Sequence, residues 1–250
     1  MQNHITAIRF TASLAALLIG VTLAGCSSTP SSSPSTSPSP SPSATPHEVV
    51  IDDRPLEQQL ADAIRNQDEA YVAALIEAGV DVNTELAPEI RPLHIASVLA
   101  SVEITEALIA AGADLEARTN TGATALLRAA ESGTGDMAAA LVLAGAEVEV
   151  FTMDTFGSSP LHVAAQTKNN EALLALLNLG ANPDIPDLYF LTPPIGVAAF
   201  NDNLEGVRML VDAGADPDIA NATGATALSL ARAQGYTEIV DYLVGIGAAE

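Results

Sequence analysis

Among residues able to do chemistry, the chain carries one cysteine, Cys26, and four scattered histidines, His4, His47, His94 and His162. A lone thiol excludes an internal disulfide, and so dispersed a set excludes a structural zinc site, which needs four Cys or His ligands. Lys168 is the one lysine, no Ser, Cys or Lys nucleophile stands in a motif with a base, and no glycine-rich phosphate loop occurs. No active site is therefore expected. Carboxylates are plentiful, and Asp184 with Asp187 and Asp216 with Asp218 supply the hard oxygen ligands that calcium accepts. Pro183, Pro186 and Pro217 break any regular ligand ladder, so these acids read as solvated charge, and neither metal nor cofactor is expected.

The 250 residues hold 9 Lys+Arg against 31 Asp+Glu, a net charge of −22. Nucleic acid is excluded as a partner, because its affinity rests on cations that neutralise phosphates. The same charge predicts a protein partner with a basic surface, and association that slows as salt rises. With 48% apolar residues the chain is too hydrophobic to be wholly disordered.

The N-terminus reads as an address. Arg9 is followed by an apolar run, Phe10 to Gly25, too short for the roughly 20 residues of a spanning helix. The run ends in Leu23-Ala24-Gly25-Cys26, which resembles the lipobox of bacterial lipoproteins. That resemblance implies removal of residues 1–25 as a signal peptide, lipidation of Cys26, and a membrane-anchored mature protein on the extracytoplasmic side. The anchor would hold either to the outer face of a plasma membrane or to a periplasmic or outer-membrane leaflet. Ordinary secretion with nearby cleavage is the alternative. Residues 26–47 comprise this cysteine and a linker in which positions 27–46 hold ten Ser and six Pro. Nothing there can be buried, so a disordered, polyproline-like stalk with a reach of about 60 Å is expected.

Residues 48–250 repeat one unit six times. Gly79, Gly112, Gly145, Gly180, Gly214 and Gly247 are separated by 33, 33, 35, 34 and 33 residues. Four residues before each is a leucine, from Leu75 to Leu243, and nineteen before each is an aliphatic: Leu60, Leu93, Leu126, Leu161, Ile195 and Leu228. The offset of nineteen never varies, so the body is fixed and the length changes fall in the connectors. Each body reads as two short amphipathic helices. In five units the first starts at a Pro or Ala just before that aliphatic, as in Pro92-Leu93-His94-Ile95-Ala96, a position where the missing proline N–H costs nothing. The second ends at the glycine, which closes helices in the left-handed conformation. Asp81, Asp114, Glu147, Asn182 and Asp216 then favour a turn. Ala96, Ala129, Ala164, Ala198 and Ala231 permit close helix approach. Neither helix is long enough to stand alone, so stability must come from stacking.

The spacing, the Pro-Leu-His-x-Ala motif and the Gly-Ala-Asp ending make residues 48–250 similar to the ankyrin repeat family. The resemblance implies an all-α solenoid of about six helix-turn-helix repeats, roughly 54–86, 87–119, 120–153, 154–188, 189–222 and 223–250. It also implies a concave, protein-binding face built from inner helices and β-turn fingers. It gives His94 and His162 a structural hydrogen-bonding role between helix start and finger. The chain departs from the family in its inter-helix turns: only Gly133 and Gly235 keep the expected glycine, Asp202 tolerates a left-handed turn, and Gln67, Ala100 and Lys168 would be strained in one. The polar first unit, with Glu57, Gln58 and Gln59, suits an N-terminal cap, and the last unit is expected to be the other cap.

Four of the eight aromatics after Cys26, namely Phe151, Phe156, Tyr189 and Phe190, lie with Met153 in the two longest connectors. They read either as partner-binding anchors or as side chains packed on each other or on the next helix pair. The function expected is protein recognition by a membrane-anchored, non-enzymatic chain. The alternatives are an immunity or inhibitor protein for a secreted toxin or cell-wall enzyme, and an accessory stress-protection factor or enzyme.

Overall fold

The computed structural model describes residues 51–99, 101–153 and 156–249. The signal peptide, Cys26, and the Ser/Pro linker expected over 26–47 lie outside the described residues, as does Ala100. Residues His47–Glu250 form one compact unit.

Twelve α-helices occur among the described residues, as six pairs: α1 (Leu56–Arg65) with α2 (Glu69–Glu77), α3 (Pro92–Leu99) with α4 (Val102–Ala110), α5 (Ala125–Ser132) with α6 (Gly135–Leu143), α7 (Pro160–Thr167) with α8 (Asn170–Asn178), α9 (Pro194–Phe200) with α10 (Leu204–Asp212), and α11 (Ala227–Gln234) with α12 (Thr237–Gly245). The odd-numbered helices pack on one another in chain order and form the inner layer, and the even-numbered ones form the outer layer. This is the all-α repeat solenoid expected from the sequence. No helix among the described residues is long and apolar enough to cross a membrane.

The invariant offsets are the core. Leu60, Leu93, Leu126, Leu161, Ile195 and Leu228 are at most 2% exposed, and the leucines from Leu75 to Leu243 are fully buried. Full burial of each contributes about 1.5–3 kcal/mol, which no isolated two-turn helix could gather. Ala96, Ala129, Ala164, Ala198 and Ala231 are likewise fully buried where the inner helices meet. Each outer helix closes the same way: its final glycine is left-handed, with φ from 85° to 105°, and the next residue donates back to the leucine carbonyl, as Val80 N–H does to Leu75 O at 3.1 Å.

The turns within pairs differ from expectation. Gln67 and Lys168 adopt the left-handed conformation, with φ of 56° and 61°, despite the Cβ penalty of about 1–2 kcal/mol. In both, the following residue closes the preceding helix, Asp68 N–H donating to Ala63 O and Asn169 N–H to Ala164 O. Gln67 also donates from its side chain to Leu99 O of the next pair, and Lys168 lies 3.6 Å from Asp202. Gly133, by contrast, is extended, with φ −81° and ψ −172°. A Cβ there would stand 2.6 Å from Ser97 O of the neighbouring inner helix, so the glycine serves close approach, not a left-handed turn.

Five of the six outer helices start on side-chain caps, α12 being the exception. Asp68, Ser101, Thr134, Asn169 and Asn203 each accept the backbone N–H three residues on. Two of these caps also tie pairs together: Asn169 Nδ2 donates to Gly133 O at 2.9 Å, and Asn203 Nδ2 to Ala165 O at 3.1 Å. In the first unit, Gln59 is fully buried and not a solvated cap residue; it donates to Arg54 O and accepts from Asp52 N–H, fastening the entering segment.

Candidate functional site

His94 and His162 sit at the second residue past the helix start in α3 and α7, and both are buried. His94 Nδ1 accepts Arg91 N–H at 3.0 Å, and Nε2 donates to Ala117 O at 2.9 Å. His162 Nδ1 accepts the Ser159 hydroxyl at 2.8 Å, and Nε2 donates to Thr192 O at 2.8 Å. This is the expected bridge from helix start to finger. Burial pushes both imidazoles below their ordinary pKa, and in His94 the Arg91 and Arg128 charges push the same way. With both ring nitrogens engaged, neither histidine presents a base to a substrate.

Five connectors fold into fingers, closed by Leu86 N–H to Ile90 O, Thr119 N–H to Ala123 O, Thr152 N–H to Ser158 O, Asp187 N–H to Thr192 O, and Asn221 N–H to Ala225 O. The third and fourth have the longer tips, matching the 35- and 34-residue spacings. Neighbouring tips are joined: Met153 N–H donates to Thr121 O, Leu188 N–H to Gly157 O, and Ala222 N–H to Phe190 O. A Cβ on Gly157 would stand 2.6 Å from the Leu188 side chain, so a glycine in finger three lets finger four lie across it.

Asp187 overturns the reading of its carboxylate as solvated charge. It is 4% exposed, and its two oxygens accept Phe190 N–H at 2.7 Å, Tyr189 N–H at 3.1 Å and Thr192 N–H at 3.3 Å. Thr192 O is the acceptor for His162, so helix α7 holds this aspartate's loop, and the loop sets finger four. Leu191 is left-handed within it, with φ 53°. The other paired acids also cap backbone: Asp184 accepts Asp216 N–H, Asp216 accepts Asp218 N–H, and Asp218 accepts Ala249 N–H, linking successive connectors. Among the described residues no group of three or more His, Cys, Asp or Glu could hold a metal ion.

The structure separates the five candidate binding residues. Phe156 and Phe190 meet, with ring centroids 6.0 Å apart at a tilt of 42°, and both remain about half exposed. Tyr189 is 60% and Met153 71% exposed at the tips of fingers four and three, while Phe151 is half-buried and its carbonyl accepts from Arg118. The Phe156–Phe190 pair forms one wall of a 380 Å³ hollow on the inner-helix side, completed by Phe200 and Val197 of α9, Gln166 of α7 and Leu230 of α11. Phe151, Met153 and Tyr189 do not line it.

Phe200 escapes a search confined to connectors. Its signal is positional: five residues after the invariant aliphatic of each unit stand Arg65, Val98, Glu131, Gln166, Phe200 and Ala233, a row of the inner layer that is exposed except at the half-buried Val98. A second hollow, of 530 Å³, opens toward the other end between α3, α5 and fingers one and two, beside Arg65 and Arg128.

The sequence pattern of the family described as Ankyrin repeats (3 copies) matches residues 60–152, 93–187 and 161–249. Among solved structures, the ankyrin repeat domain of Bcl-3, a unique member of the IkappaB protein family, is similar at 28% identity and TM-score 0.69, covering 76% of this chain and 86% of that one. A chain in the structure of the Bd0816 predatory endopeptidase from Bdellovibrio bacteriovorus in complex with immunity protein Bd3460 is similar in fold at 24% identity and TM-score 0.66, covering 75% and 97%. A comparison with curated proteins returns no significant match.

Proposed function

The chain belongs to the ankyrin repeat family, and from that premise we propose that it is a lipid-anchored extracytoplasmic protein that holds a protein partner on its concave face and fingers. Repeats of this family bind other proteins. The observation that carries the reading here is the hollow at fingers three and four, where Phe156, Phe190 and Phe200 gather and each keeps about half its surface in water. Exposed aromatics gathered at a concavity are what interface anchors look like before the partner arrives.

Its action is recognition without turnover, a reading supported by histidines whose ring nitrogens are both engaged and by carboxylates occupied with backbone N–H groups. The −22 charge favours a partner with a basic surface. Cys26, in its Leu-Ala-Gly-Cys setting, would carry the lipid, and the linker to residue 47 would lift the repeats off the bilayer.

Capture with His47–Glu250 as bait from the exported fraction, beside the same bait carrying Phe190→Ala and Phe200→Ala, tests the binding reading. A protein retained by the first and absent from the second is expected; equal retention would contradict it. Fatty-acid labelling that persists in Cys26→Ser would contradict the anchor.

A second reading follows the Bd0816–Bd3460 complex, in which an immunity protein accompanies an endopeptidase. Here the partner would be an exported toxin or cell-wall enzyme kept inactive. It requires the captured protein to be a hydrolase whose activity falls on stoichiometric addition of this chain.

A further inference from the structure

We infer that the 380 Å³ hollow at fingers three and four seats the guanidinium group of an arginine of the partner, against the faces of Phe190 and Phe200. This rests on the partner-binding reading above and specifies what the partner must present. Three aromatic rings meet at one concavity, and no Lys or Arg lines it. The faces of such rings are the negative pole of their quadrupole and attract cations. The wall also includes Asp187, whose buried carboxylate places a negative charge directly behind finger four. The chain as a whole, at −22, adds a field of the same sign.

An aliphatic anchor would fit the volume but not the polar part of the wall. Gln166 and Asn201 contribute side-chain amides, and Asn201 uses its Nδ2 on Val197 O, which turns its carbonyl oxygen to other donors. A leucine seated there would strip water from these groups and return no hydrogen bond. A guanidinium offers five N–H donors in a plane that also stacks on aromatic rings. The 530 Å³ hollow supplies the internal contrast: no Phe, Tyr or Trp lines it, and Arg65 and Arg128 in its wall would repel the same cation.

The test is an NMR titration of the full chain with n-butylguanidinium and, separately, with the neutral 1-pentanol, following the aromatic ring resonances. Butylguanidinium should bind at least about fivefold more tightly than the alcohol. Removing one ring should reduce the cation's affinity about two- to fivefold. Phe200→Leu and Phe190→Leu, which keep apolar volume, should each lower that preference and leave alcohol binding within about twofold. Equal or tighter binding of the alcohol, or a cation preference that survives both substitutions, overturns the inference. If one variant fails to give a native amide spectrum, the other still decides. The outcomes separate from those for the proposed function: a captured partner without cation preference refutes only this inference, and cation preference in a chain that captures nothing refutes only that function.

Discussion

The two ends of the concave face are built on one frame and finished in different chemistry. Toward the N-terminus, α3 and α5 offer Ile95, Val98 and Arg128 beside a 530 Å³ hollow, over fingers that close after three tip residues. Toward the C-terminus, α7, α9 and α11 offer Val197, Phe200 and Leu230 to a 380 Å³ hollow that the longer fingers three and four wall with Phe156 and Phe190. The histidine bridge is common to both halves, from His94 to Ala117 O and from His162 to Thr192 O. What differs is the one or two residues added to the connector. In a solenoid the helices must keep register with their neighbours, whereas a connector can grow at its tip without disturbing the stack. New surface chemistry therefore appears at the tips and at the exposed inner-helix row.

The contrast breaks first if binding does not follow the aromatics. Phe190→Ala with Phe200→Ala should weaken partner capture by about 100-fold or more, since anchors at the centre of an interface carry about 2 kcal/mol or more each. Arg65→Ala with Arg128→Ala should cost less than about tenfold, because both side chains already pair on their own helices, Arg65 with Asp62 and Arg128 with Glu131, in solvent. Titration of immobilised partner with each variant checks both. A larger loss from the arginine pair would transfer the recognition role to the N-terminal hollow.

The next effect concerns what holds the longer finger. Asp187→Asn retains one carbonyl acceptor but turns an NH₂ toward a backbone N–H that the second oxygen now accepts, Thr192 N–H at 3.3 Å or the pair from Tyr189 and Phe190. The loss should be about 1–3 kcal/mol in urea unfolding, the cost of unsatisfied buried groups. Amide exchange should rise in finger four and not in finger two, whose turn uses Thr119 and not a buried acid.

That asymmetry also marks how far the sequence could be read. The invariant offsets exposed the helix pairs, because six repetitions average away local noise and each offset reports one buried leucine or one left-handed glycine. Proline at the helix start was legible from backbone chemistry alone. Asp187 was not, since nothing in Pro186-Asp187-Leu188 tells that its carboxylate turns inward to cap its own finger. Phe200 looked like any helical aromatic until its place in the exposed row was compared with Arg65, Glu131 and Gln166. Gly133 misled for a related reason: residue type suggested a left-handed turn, while the real constraint is Ser97 O, thirty-six residues earlier. Gly133 is decided by a contact with the previous unit and Asp187 by the path of its own loop, and neither has a signature in residue type alone.

The histidines sharpen the comparison through pH. Their folded pKa values lie below the ordinary value near 6.5, chiefly through burial, so the unfolded chain binds protons that the folded chain refuses. Their contribution is whole above about pH 6.5 and is lost as pH falls through that value toward the depressed folded pKa. His162→Gln and His94→Gln should each flatten this acid limb while lowering stability near pH 7.5 by about 1–2 kcal/mol through lost hydrogen bonds. Thermal unfolding between pH 5 and 8 measures it. His162→Gln should in addition loosen finger four, because Thr192 O links it to Asp187, whereas His94→Gln should leave fingers three and four unchanged.

The smallest effect tests whether the halves are energetically separate as well as chemically distinct. Thr105 of α4 is fully buried, and its hydroxyl has no hydrogen-bond partner. At the same place, seven residues before the closing glycine, the other units carry Val72, Ala138, Leu173, Val207 and Val240. Thr105→Val exchanges an unsatisfied hydroxyl for a methyl group of nearly the same shape, so stability should rise by up to about 1 kcal/mol. In a stack whose units touch only their neighbours, the gain should slow amide exchange in α2, α4 and α6, which adjoin Thr105, and fade before α10 and α12. A gain spread evenly to α12 would mean that the unit unfolds as one body. The aromatic hollow would then be coupled to the arginine-flanked end through the stack between them.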